Sequence, residues 1–255
     1  MSIPESSTVQ SVARTFAVLD ALADATATSP SAGLTTIAET AGLAESTTHR
    51  LLATLVGLGV VRRLPDRGGY ALGVRLVRLG AAATPALSAA MRPILEDLVD
   101  EIGESANLAM LVGDQAEYVA QAPSRHAMRM FTEVGRRVDL HCTGVGKAML
   151  STLSAERAAE LVARASLPAR TTHTLTDRRA LLDAVALTRE RGWCLDEQEQ
   201  ELGVRCVAVP IPQTDARSYA VSVSGPLTRM SDDLVARAVP ALQASAARIA
   251  AALGR

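Results

Sequence analysis

Residues 34–72 read LTTIAETAGLAESTTHRLLATLVGLGVVRRLPDRGGYAL, and this stretch decides the fold of the first part of the chain. Ile37, Ala38 and Ala41 carry the apolar side of a short helix. Thr35 or Thr36 can cap it, and with Thr36 as the cap Glu39 stands at the third helical position and completes a capping box. Gly42 supplies the left-handed backbone position that ends a helix at low steric cost. A second helix is predicted from about Glu45 to Leu58, with Leu51, Leu52, Leu55 and Leu58 spaced to face a core. Its other side presents Ser46, Thr47, His49, Arg50 and Thr54, and no acid follows Glu45. Short hydroxyls, one imidazole and one guanidinium suit base edges and phosphates, whereas a merely solvated helix face would be charge-rich.

Val60–Arg63 is β-prone, Tyr70–Leu72 resumes the extended pattern, and a Gly-bearing loop joins them, which reads as a hairpin. Arg62, Arg63 and Arg67 on such a wing would lie near a phosphate backbone or minor groove; an ordinary surface hairpin is the alternative. Upstream, Val12, Phe16, Leu19 and Leu22 form an apolar stripe over Val9–Ala23, predicting a first helix that packs on the other two. Arg14 projects from another face of it, toward a phosphate or toward solvent. Residues 1–73 thus read as a winged helix-turn-helix that places its second helix in a major groove of double-stranded DNA, with Thr36 joining the contact set.

The length of 255 residues accommodates two domains, one of ~70 and one of ~170 residues. Aromatic residues make up only 2% of a chain that is 48% hydrophobic, so both cores must be built from Leu, Val and Ala. The net charge is −1, and residues 1–80 hold seven arginines against six carboxylates. Bulk charge therefore does not establish DNA binding, and the placement of individual arginines has to. Cys142, Cys194 and Cys206 form neither a CxxC pair nor an even framework, which suits a reduced, cytoplasmic protein. No apolar run reaches membrane-spanning length, and the first residues lack a signal-peptide pattern.

Residues 74–84 continue in helical register as a linker, Thr84-Pro85 breaks it, and a further helix runs to Ile102 with Pro93 as a kink or restart. Residues 85–255 then change character to an α+β domain. Asn107–Val112 and Ala116–Gln121 flank Gly113-Asp114-Gln115 as a hairpin, and His126–Val134 alternates like a strand. Val138–Lys147 leads into a helix, Ser154 and Thr176 cap two more, and Gly192 ends the last of these. Trp193–Glu199, Gly203–Ile211 and Ser218–Gly225 read as strands, and Ser231 opens a closing helix whose first turn carries Asp232 and Asp233.

Gly144-Val145-Gly146-Lys147 looks like part of a phosphate loop, yet His141 and Ala148 stand where that loop needs Gly and Ser or Thr. Thr143 and the glycines after it at a helix start offer backbone N–H groups to a small carboxylate, or serve only as a tight cap. In Ser218–Gly225, Tyr219, Val221 and Val223 share one face and Ala220, Ser222 and Ser224 the other, so the serines line either a polar pocket or a solvated sheet face. Cys206 falls with Val204 and Ala208, and Asp196 stands where it can hydrogen-bond a ligand. His141 and Cys142 point to opposite faces if extended, and no nucleophile elbow or HExxH pair is present, so no enzymatic activity is expected. Cys142, Cys206, Asp196 and a His lack metal-site spacing, so neither a metal nor a cofactor is expected.

Four stretches resemble the IclR family of bacterial transcriptional regulators over nearly the whole chain: Ala41–Leu52, Leu140–Ala148, Trp193–Cys206 and Ser222–Pro226. The resemblance implies a winged helix-turn-helix joined by a helix to a GAF-like effector domain, in a homodimer or dimer of dimers on palindromic operators. In the branch that senses glyoxylate or allantoin-type compounds, it implies an effector site at Gly144, Val145, Asp196, Cys206, Ser222 and Ser224. Val145 departs from the more usual Ala and would narrow that pocket. A small carboxylate or ureide is the implied ligand, with aromatic acids bound by some relatives. Repressor and activator share this architecture.

Overall fold

A computed structural model of the chain describes residues 9–26, 29–64, 68–130, 132–212 and 218–254. Two compact units are present, Met1–Pro85 and Ala86–Arg255.

The first unit contains α1 (Gln10–Thr26), α2 (Leu34–Thr40), α3 (Glu45–Gly57), β1 (Val61–Leu64) and β2 (Gly69–Leu72). Its core gathers Val18 and Leu22 of α1, Ile37 of α2, Leu52 and Leu55 of α3, and Val61 and Tyr70 of the hairpin. Both helices of the helix-turn-helix end the same way. After α2, Gly42 takes φ +64° while Leu43 N–H donates to Ala38 O and Gly42 N–H to Glu39 O. After α3, Gly59 takes φ +71° while Val60 N–H donates to Leu55 O and Gly59 N–H to Val56 O. These are paired Schellman terminations, in which glycine removes the Cβ penalty of the left-handed residue.

Three expectations fail here. The capping box does not form: the N-cap of α2 is Gly33, with no side-chain cap, and Thr35 Oγ1 donates instead to Glu45 of α3. The buried stripe of α1 is Val18, Ala21 and Leu22, whereas Val12 and Phe16 are exposed. This helix carries apolar residues on two sides, and its contacts with α2, α3 and β2 select one of them. Leu58, expected in the core, is the C-cap of α3 and is exposed, because the helix ends one residue earlier than periodicity suggests.

Helix α4 is continuous from Val74 to Ile102, passing Pro85 and Pro93 without a break. A proline removes one backbone donor and bends a helix, but flanking turns can carry the hydrogen-bond ladder past it. The second unit then adds β3 (Ser105–Val112), β4 (Gln115–Ala122), β5 (Arg137–Asp139), α5 (Gly144–Thr152), α6 (Ala155–Arg164), α7 (Arg178–Arg191), β6 (Cys194–Glu197), β7 (Val204–Pro210), β8 (Tyr219–Pro226) and α8 (Asp232–Leu253). The six strands form one antiparallel sheet in the order β5-β4-β3-β8-β7-β6.

The two faces of the sheet differ in chemistry. Leu108, Val207, Val209, Val221 and Val223 pack in one cluster with Leu95 and Leu98 of α4 and Leu242 and Ile249 of α8. On the other face Ala109, Ala208 and Ala220 lie in a cluster with Ala148 and Met149 of α5, Leu161 of α6 and Leu181 of α7. Ser154 and Ser231 cap α6 and α8 as expected, and Gly192 closes α7 at φ +78°. The cap of α7 is Asp177 rather than Thr176, its Oδ2 accepting from Ala180 N–H at 2.8 Å.

The described residues of His126–Val134 form no strand. Their groups are engaged elsewhere: Thr132 Oγ1 donates to Asn107 Oδ1 at 2.6 Å, and Arg229 Nη2 donates to Met128 O at 2.9 Å. Arg229 is itself held by the buried carboxylate of Glu104, with Nη2 2.8 Å from Oε2.

Candidate functional site

In the first unit, Ser46, His49, Arg50 and Thr54 are exposed on α3, and Thr47 is half-buried. Thr54 Oγ1 bonds back to Arg50 O at 3.0 Å. The buried members are Thr48, Leu52 and Leu55, so the polar set lies away from the core as the spacing requires. Arg14 on α1, Thr36 on α2, and Arg62 and Arg63 on β1 are exposed as well. The hairpin runs in register from Val61↔Leu72 to Leu64↔Gly69 and is tied to the head by a bridge from Tyr70 to Ala32. Arg67 lies outside the described residues. The exposed face of α3 contains no acid beyond Glu45 at its first turn.

In the second unit, strand register assembles a polar row. Asp196 of β6 pairs with Cys206 of β7, Cys206 with Ser224 of β8, and Ser224 with Ser105 of β3. One step along, Ala208 pairs with Ser222, and Ser222 with Asn107. Residues opposite one another in an antiparallel pair share a face, so these groups lie on the face that α5 covers. They are not solvated: Asp196 is 4% exposed, Ser222 1% and Ser224 7%.

Helix α5 starts at this face. Thr143 caps it, accepting from Gly146 N–H at 3.2 Å and donating to Asp139 O at 2.8 Å. Helical geometry leaves the N–H groups of Gly144 and Val145 without acceptors inside the helix. A Cβ on Gly144 would stand 3.1 Å from Cys206 Sγ and 3.2 Å from Ala208 Cβ, so only glycine brings this backbone so close to the sheet. Gly144, Asp196, Cys206, Ser222 and Ser224 are therefore gathered in one place. Val145 contributes its backbone there, and its side chain belongs to the apolar cluster with Leu140 and Met149.

The electrostatics are those of a desolvated, electronegative site. Burial, with the Glu199 carboxylate adding to it, pushes the Asp196 carboxyl up to about 7 against two opposing backbone N–H bonds and the charge of Lys147. Those N–H groups, of Glu199 and Gln200, reach Asp196 Oδ1 at 2.7 and 3.4 Å. Burial raises the Cys206 thiol well above its ordinary range, reinforced by Asp196, and Cys142 is pushed up to about 12 for similar reasons. None of these is a thiolate, so a nucleophilic role has no support in the geometry. Lys147 Nζ and Glu199 Oε1 form an ion pair with side chains 4% and 9% exposed. The other Glu199 oxygen, Oε2, is buried without a hydrogen-bond partner among the described residues.

Several of these groups escaped the sequence reading. Asn107, Thr132 and Gln121 form a hydrogen-bonded chain that ends on Ser224, Asn107 Nδ2 donating to its Oγ at 3.3 Å. Only strand pairing shows that Asn107 lies opposite Ser222. Asp139, His141 and Cys142 offer ligand atoms within 4.8 Å of one another, a different set from the one considered in the sequence. Each is already engaged: Asp139 by Arg170 at 2.6 Å, His141 by Pro168 O at 3.0 Å, and Cys142 by Gln200 Oε1 at 2.7 Å. Among the described residues no helix is long and apolar enough to cross a membrane.

Comparison with known proteins agrees with both halves. The model of the IclR helix-turn-helix domain matches residues 11–65, and that of the bacterial transcriptional regulator IclR C-terminal region matches residues 81–251. The transcriptional repressor IclR of Escherichia coli (strain K12) is 37% identical over 239 residues, spanning 91% of this chain and 85% of that protein. The crystal structure of an IclR transcriptional regulator from Alicyclobacillus acidocaldarius superposes with a TM-score of 0.61 at 27% identity, over 96% of this chain and 99% of the other. An IclR homologue from Microbacterium hydrocarbonoxydans, solved with 4-hydroxybenzoate, shares the fold at 24% identity, with a TM-score of 0.59 over 95% and 98% of the two chains. The first two of these relatives are a transcriptional repressor and a transcriptional regulator. With an exposed polar face on α3 in one unit, a buried polar face in the other, and family models matching both, the chain belongs to the IclR family of bacterial DNA-binding transcriptional regulators.

Proposed function

We propose that the chain is a cytoplasmic repressor, released from a palindromic operator or modulated there by a small carboxylate or ureide. The observation that carries the effector half is the burial of Asp196, Ser222 and Ser224 on one sheet face beside the start of α5. Asp196 and Ser224 keep hydrogen-bond partners within the protein, and a polar wall this far from water suits a small polar ligand. The N–H groups of Gly144 and Val145 suit carboxylate oxygens. Asp196, with its raised pKa, meets an acid in neutral form and a ureide as an acceptor, and Cys206, Ser222 and Ser224 complete the wall. In the head, Ser46, Thr47, His49, Arg50 and Thr54 read the groove, with Arg14, Thr36, Arg62 and Arg67 on the backbone. The chain acts as a homodimer or dimer of dimers, as a two-fold operator requires. The relative named acetate operon repressor supports the negative sign of control.

A second reading keeps the architecture and changes the ligand to an aromatic acid acting on an activator; the 4-hydroxybenzoate held by the Microbacterium relative favours it. A ligand at this site changes DNA affinity only by binding the two states unequally. The test pairs thermal-shift screening against small acids and ureides with gel shifts on the DNA upstream of the coding region. Asp196→Ala is expected to abolish the ligand response and leave operator binding intact. A retained response removes Asp196 from the site, and indifference to sequence in the DNA assay overturns the regulator reading for that target.

A further inference from the structure

A cavity of about 190 Å³ opens in the second unit away from the Asp196 face. Leu150 of α5, Leu161 and Val162 of α6, and Leu181 of α7 form its floor, all at least nine-tenths buried. Gln115 at the start of β4, Asp139 at the end of β5, and His141 line its polar side. Apolar floor and polar corner together are what a small-molecule pocket presents.

His141 sets the chemistry. It is 3% exposed, and its Nε2 lies 3.0 Å from Pro168 O. A carbonyl oxygen only accepts, so the proton sits on Nε2, and in the neutral ring Nδ1 carries a lone pair. No described residue hydrogen-bonds that nitrogen. An acceptor left open on the wall of a cavity with an apolar floor suits a donor attached to an apolar body. The adjacent carboxylate of Asp139 is paired with Arg170, and no Lys or Arg is among the residues lining the cavity to attract an anionic ligand. The volume compares with the cavity of about 150 Å³ that accommodates benzene.

We propose that this cavity is a second ligand site, separate from the Asp196 face, for a neutral single-ring or short-chain molecule bearing a hydroxyl that donates to His141 Nδ1. The chain runs directly from this site to the other: Cys142, the next residue, turns its thiol to Gln200, whose own N–H lies on Asp196.

The experiment is a titration of the full chain, carrying ¹³C-labelled Leu and Val methyl groups, with phenol and in parallel with toluene. Saturable shifts of the Leu150, Leu161 and Leu181 methyl signals are expected with phenol, and binding weaker by about fivefold or more with toluene, which lacks the donor. Leu161→Phe fills the floor and should weaken phenol binding by about tenfold or more. If that variant does not fold, Ala165→Leu at the mouth serves the same purpose. His141→Phe should reduce phenol binding to the toluene level, and Ser222→Ala should leave it unchanged. Absent saturation, equal binding of the two probes, or loss of phenol binding in Ser222→Ala with the filled variants unaffected would each overturn the proposal.

Discussion

Gly144 at the start of α5 packs directly on Cys206 of β7: a methyl group on the glycine would sit 3.1 Å from the sulfur. Gly144→Ala gains helix propensity of up to about 1 kcal/mol and overpacks this contact at a cost of about 1–3 kcal/mol. A net loss in urea unfolding is expected. Combining it with Cys206→Ala should recover part of that loss, and a double-mutant cycle with no coupling would show that the contact is not what constrains the glycine.

Lys147→Met leaves the Glu199 carboxylate buried without its cation, and losses of about 3–5 kcal/mol follow from stranding a charge in this way. Replacing both partners with apolar residues, Lys147→Met with Glu199→Leu, should return most of the stability, since the desolvation of both ions disappears together. Chemical denaturation of the single and double variants checks this. A double variant as unstable as the single one would mean that Glu199 is held by more than its pairing.

Asp196 has a sign that can be worked out. Its pKa in the folded chain is about 7 against 3.8 ordinarily, so between those values the native state holds a proton that the unfolded chain has lost. This contribution is complete below the ordinary value and is lost as pH rises toward 7, at a limiting slope of about 1.4 kcal/mol per pH unit. Asp196→Asn should flatten the pH dependence of unfolding across that window. The same variant should remove the weakening of carboxylate binding expected above pH 7. An unchanged slope in stability would assign the titration to another group.

Arg50→Ala should weaken operator binding about tenfold or more at fixed salt. If Arg50 meets a phosphate, the variant also lowers the salt slope by about one unit; if it meets a base, the loss is confined to the cognate sequence. Fluorescence anisotropy at several salt concentrations, on cognate and scrambled duplexes, separates these. No change on either duplex would remove Arg50 from the interface.

What the sequence disclosed was mostly local. Gly42, Ser154, Gly192 and Ser231 end or begin helices as their residue types require. The strand parity that separated Ser222 and Ser224 from Val221 and Val223 also holds, because one hairpin repeat of two needs no tertiary knowledge. The failures concern choices between near-equals. Helix α1 offers two apolar stripes, and only the partner elements choose between them. His126–Val134 alternates, yet its hydrogen bonds go to Asn107 and Arg229 rather than to a ladder. The ion pair of Lys147 with Glu199 joins residues fifty-two positions apart, a separation at which a single sequence carries no signal of contact.

The central seam of the sheet joins β3 to β8, and between Val112 and Tyr219 lie the four strands β4–β7 and the three helices α5–α7 with their connections. A ribosome making this protein therefore emits Ser105 and Asn107 long before Ser222 and Ser224 can meet them. Until β8 emerges, the early hairpin exposes an unpaired strand edge, a hazard that chaperones exist to cover. The polar row at that seam is accordingly among the last features a nascent chain completes.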